Sequence, residues 1–153
     1  MTKRNLLPFL VFGVLWGVLL RHLSVHWQLN PQYSFGWLVP FLEAVLFFQA
    51  WQERPAPGAA AGNASVLMGF FALLLFPTWV VAQPNPDWRL VSWALGVEVL
   101  ALSLGAIYLA GGRRWVRQFA FPVCFILTAI PWPTGLEILL IQNLMHAVAW
   151  ATV

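Results

Sequence analysis

Long apolar runs, interrupted by short polar or proline-rich segments, set the pattern of this chain. A helix needs about 20 mostly apolar residues to cross the hydrocarbon core of a bilayer. Runs of that kind fall at residues 6–23, 36–51, 65–82, 91–110, 115–130 and 135–153, the fifth being shorter than the others and the sixth reaching the last residue. The pattern predicts an all-α, polytopic integral membrane protein with about five or six transmembrane helices in one membrane domain. Three segments punctuate it. Glu53 to Ala64 reads ERPAPGAAAGNA, Gln83 to Asp87 reads QPNPD, and Pro131-Trp132-Pro133 forms the last break. Residues before proline resist the helical conformation, so each of these is expected to be a turn or linker.

Lys3 and Arg4 precede the first run, as they would in a signal peptide. No small-x-small cleavage site follows Leu20, where the chain reads Arg21-His22-Leu23-Ser24, so a retained helix is expected. Composition supports the membrane reading. Of 153 residues, 61% are hydrophobic and 8% charged, against roughly 25% charged in a soluble domain. That excludes a disordered chain, a collagen-like repeat and an ordinary soluble domain. Eight Lys and Arg against five Asp and Glu leave a net charge of +3, too thin a basic surface for a nucleic-acid binder. One cysteine excludes an internal disulfide framework and a Cys-based zinc site, and no metal or cofactor is expected.

The basic residues orient the helices. With the N-terminus cytoplasmic, Lys3, Arg4, Arg54, Arg113, Arg114 and Arg117 lie inside, while Arg21 and Arg89 lie outside. Tryptophan prefers the headgroup level. Trp27, Trp37, Trp79, Trp88, Trp93 and Trp132 then fall near the outer interface, and Trp51 and Trp115 near the inner one. Trp16 and Trp150 do not fit this pattern and read as packing residues.

Few side chains carry candidate chemistry. Glu43 and Glu98 fall near the middle of the second and fourth runs, where a carboxyl group is costly and marks a functional hypothesis. No Lys or Arg lies at matching depth to pair with them. Cys124 sits among apolar residues, which suits a small hydrophobe better than an activated thiolate. His22 and His26, four apart, have metal-ligand spacing but no carboxylate or third histidine nearby, and read as interfacial polar residues. Gln142, Asn143 and His146 share one face of the last helix. No nucleophile elbow, zincin, P-loop or dinucleotide motif occurs.

Two stretches go further. One is Asn30-Pro31-Gln32-Tyr33-Ser34-Phe35-Gly36-Trp37-Leu38-Val39-Pro40. The other runs from Phe121-Pro122-Val123-Cys124 through Ile130-Pro131-Trp132-Pro133-Thr134-Gly135-Leu136-Glu137 to Leu140-Ile141-Gln142-Asn143-Leu144-Met145. In order and character they resemble the N-terminal part of the exosortase/archaeosortase family. That resemblance implies a multi-pass protein of the bacterial cytoplasmic (inner) membrane, related to cysteine peptidases and transpeptidases. It also implies partners: exported proteins carrying a C-terminal sorting tail with a Pro-Glu-Pro-type motif, a transmembrane helix and basic residues, cleaved at the outer face. Many members have His where Phe35 stands. The family's Cys in an Ala-Cys-Ser-Gly-Ile-Arg-like motif, and its later Arg and His, do not occur in these residues, and Cys124 does not match. No catalytic residue is therefore assigned, and the chain is expected to be an N-terminal fragment, inactive alone. Tyr33, Ser34, Phe35, Gly36, Trp132 and Glu137 become substrate-groove candidates, with Trp37 beside them. Two other readings stay open: a small proton-coupled transporter using Glu43 and Glu98, and a non-catalytic membrane subunit packing through Gln142, Asn143 and His146.

Overall fold

The computed structural model describes residues 7–60 and 62–151. Lys3, Arg4, Leu6 and Val153, which entered the orientation and the helix limits above, lie outside them. The order is α1 (Leu7–Leu29), a 3₁₀ segment (Pro31–Trp37), α2 (Val39–Gln52), α3 (Ala64–Ala82), α4 (Arg89–Cys124), a second 3₁₀ segment (Phe125–Ala129) and α5 (Thr134–Ala151). No strand occurs among the described residues. Among the described residues, four helical stretches are long and apolar enough to cross a membrane: Leu10–Leu29, Pro31–Gln52, Ala64–Ala82 and Arg89–Ala129.

The first helix runs past the expected end at residue 23 to Leu29. Nothing in Arg21-His22-Leu23-Ser24-Val25-His26 breaks a helix, and its polar groups find partners: the Ser24 hydroxyl donates to the Arg21 carbonyl at 2.7 Å. Proline ends it. Asn30, held extended before Pro31 (φ −119°, ψ 109°), caps the next segment by accepting from the Gln32 N–H at 3.0 Å. The helix expected from residue 36 accordingly begins as a 3₁₀ turn and becomes α-helical only at Val39, with proline in its first turn.

The fourth and fifth predicted helices are the two limbs of α4. A straight helix over the 41 residues Arg89–Ala129 would be about 60 Å long, twice a hydrocarbon core of about 30 Å. The chain reverses instead at Gly112 (φ 70°, ψ −166°), a backbone conformation open essentially to glycine alone. The returning limb places the Ile130 side chain against Gly96, and the Trp93 indole donates to the Pro131 carbonyl at 2.9 Å. Pro122 lacks an N–H and crowds the preceding turn, and the returning limb tightens to 3₁₀ geometry from Phe125.

The core lies between α1, α2 and the two limbs of α4, where Leu19, Leu23, Leu95, Val99, Phe119, Val123, Ile126 and Ile130 are buried. Helix α1 runs antiparallel to the first limb, with Trp16 beside Ser103 at one end and His26 beside Ser92 at the other. Helix α3 packs on that limb through Met68 against Gly105 and Thr78 against Glu98, leaving Val66, Leu73 and Phe76 exposed. Such broad apolar exposure suits a lipid surrounding. The connections gather at two opposite ends. At one, the Gly58 N–H donates to the Gly111 carbonyl (3.0 Å) and the Trp115 indole to the Pro55 carbonyl (2.8 Å). At the other, residues 27–37, 88–93 and 129–137 meet, which places the segments expected on one side of the membrane at one end of the bundle.

Candidate functional site

At that second end, the break at Pro31 turns the Tyr33 segment back over α1. Tyr33 and Gly36 are buried, and Ser34, Phe35 and Trp37 are exposed. Gly36 is needed because the Trp27 indole lies where any Cβ would project. The same indole donates to the Ala129 carbonyl at 2.9 Å and meets Trp37 edge-on, with centroids 5.4 Å apart. Trp27 therefore clamps the Tyr33 segment to the end of the returning limb.

Three of the expected residues come together through a fourth. Arg89, at the start of α4, donates to the Trp132 carbonyl at 2.9 Å and forms an ion pair with the Glu137 carboxylate. Its guanidinium also lies 5.9 Å from the Tyr33 ring centre, and the Tyr33 hydroxyl reaches the other Glu137 oxygen at 3.5 Å. Tyr33, Trp132 and Glu137 thus form one cluster around Arg89, flanked by the half-exposed rings of Phe35 and Trp132. Ser34 is exposed, and Gly36 serves the Trp27 contact. Sequence reasoning counted Arg89 only as an outer charge; its partners lie 43 and 48 residues further on.

Near the cluster, His22 and His26, expected as interfacial polar residues, are buried inside the protein. Their Nε2 atoms lie 2.9 and 2.8 Å from a single oxygen, the fully buried Ser92 hydroxyl. One hydroxyl proton cannot serve two acceptors, so with neutral rings at least one imidazole donates from Nε2, and the Ser92 proton goes either to the other ring or to the Trp88 carbonyl at 3.4 Å. Burial becomes possible because α4 brings a partner that covers both polar edges.

The two intramembrane carboxyl groups do not meet. Glu98 faces α3, where the Thr78 hydroxyl donates to one oxygen at 2.6 Å and the other oxygen has no partner among the described residues. Glu43 instead lines a cavity between α1, α2 and α4. Gln142, Asn143 and His146 are exposed on α5, which is tied to the bundle at its first turn through Glu137.

These features define a class: an all-helical membrane protein with long apolar helices and a polar, aromatic-lined cluster at one end. The family follows from comparison, in which residues 27–153 match the transmembrane exosortase family; the chain belongs to that family. No curated protein and no solved structure gives a match.

Proposed function

We propose that this chain docks the C-terminal sorting tails of exported proteins at the outer face of the bacterial cytoplasmic membrane, for an exosortase-type peptidase or transpeptidase reaction. The observation that carries the reading is the Arg89 cluster: the two stretches that resemble the family meet there, in a chain whose family match spans both. The exposed rings of Phe35 and Trp132 offer flat apolar faces for proline, and the nearby Arg89 guanidinium offers charge to an acidic side chain. Tyr33 and Glu137 hold that guanidinium in place. Cleavage needs a thiolate and groups that stabilise the developing charges. Cys124 is given no such role, since it precedes the Pro131 turn and lacks the family motif around it.

The test is photocrosslinking in bacterial membranes. A photoreactive residue at Phe35 is expected to capture a co-expressed exported reporter carrying a Pro-Glu-Pro tail. Capture should fall when that motif becomes Ala-Ala-Ala, and when Arg89→Gln removes the charge. Equal capture of the intact and alanine tails would overturn the docking role.

A further inference from the structure

Away from the Arg89 cluster, a cavity of about 720 Å³ opens between α1, α2 and the two limbs of α4. That is the size of small-molecule sites, which run to roughly 300–1,000 Å³. Its walls are aromatic: Trp16 from α1, Phe47 and Trp51 from α2, Trp115 and Phe119 from α4. Three lining side chains carry polar atoms that matter. The Trp16 indole donates to the Ser103 hydroxyl at 3.1 Å, and Ser103 donates to the Val99 carbonyl at 2.8 Å, so both are satisfied within the protein. Glu43 is different. It is 9% exposed, lines the cavity, and its side chain makes no hydrogen bond to any described residue. No Lys or Arg lines the space.

We propose that this cavity binds a small lipophilic amine, its ammonium group on the Glu43 carboxylate and its apolar body along the tryptophan and phenylalanine walls. The charge is complementary, and ammonium groups are also attracted to aromatic faces. A carboxyl and an amine together bring no net charge into the apolar space, whichever of them carries the proton. A whole transmembrane helix, about 30 Å long and 10–12 Å across, is too large to enter the space. A bare acyl chain fits the walls but leaves the carboxyl group without a partner. The proposal stands on the cavity alone and does not depend on the docking of sorting tails.

The test uses the full chain in phosphatidylcholine nanodiscs, whose headgroups carry no free amine. The probes are a photoreactive dodecylamine and the matching dodecanol. The amine is expected to label α2 and the returning limb of α4, and unlabelled dodecylamine should compete while dodecanol does not. Glu43→Gln should lower amine labelling by about ten- to a hundredfold, the effect of losing a charged hydrogen bond. Glu43→Asp should keep it, Glu98→Gln should leave it unchanged, and Ala44→Trp should fill the space and abolish it. Equal labelling by the alcohol, or equal competition by both compounds on the wild-type chain, means that the cavity holds acyl chains only and overturns the proposal. The competition arm decides even if a Glu43 variant fails to fold.

Discussion

Replacing Gly112 with alanine tests the reversal that places Trp132 beside Arg89. Gly112 has φ 70° and ψ −166°. Holding an L-residue there costs about 1–3 kcal/mol. A Cβ would also stand 2.9 Å from the Ala59 carbonyl oxygen and 3.1 Å from the carbonyl group of Gly58. Both obstacles are backbone and cannot rotate aside. Relief would require the 53–63 linker to move, loosening the Gly58 to Gly111 hydrogen bond (3.0 Å), worth about 1 kcal/mol. Together the terms give a loss of about 2–4 kcal/mol. For a chain of this size that corresponds to a fall of roughly 5–15 °C in Tm. The assay is thermal unfolding in detergent micelles, followed by helical circular dichroism. Gly69→Ala is the matched control, because a Cβ at Gly69, inside α3, meets nothing within 4 Å. If Gly112→Ala unfolds within about a degree of the wild type, a shift that corresponds to well under 1 kcal/mol, the reversal does not depend on glycine and the reasoning fails.

Two further predictions concern the opposite end. Ser92→Ala removes the shared partner of two buried imidazoles; at about 1–3 kcal/mol for each polar group left unpaired, the loss should be about 2–6 kcal/mol in the same unfolding assay, and a change below about 0.5 kcal/mol would show that the His22 and His26 pairing contributes little. For orientation, cysteine at Ser34 should react with a membrane-impermeant thiol reagent from outside the cell, and cysteine at Gly58 only after permeabilisation; the reverse pattern would place the Arg89 cluster on the cytoplasmic side and end the docking proposal.

The length of the apolar runs determined the helices, and it did so with little help from packing. A backbone in hydrocarbon must bond to itself, so a run such as residues 65–82 has few alternatives to the helix Ala64–Ala82 that forms. Proline did the same for the ends, at Pro31 and around Trp132. The sequence also brought forward Tyr33, Trp132 and Glu137, through their place in stretches that resemble a family. It could not supply what joins them. Run length and charge set depth along the membrane normal, whereas a lateral partner is chosen by helix packing across long separations. Arg89 was legible as a charge, yet its carboxylate lies 48 residues away. The burial of His22 and His26 was not legible, because their cover, Ser92, lies 70 and 66 residues further on. Glu43 and Glu98 had the same signature, a carboxyl group in the middle of an apolar run. Only the tertiary structure separated them, by setting Glu98 against Thr78 and leaving Glu43 facing an open cavity, because the arrangement of neighbouring helices, rather than depth, decides which polar group finds a partner.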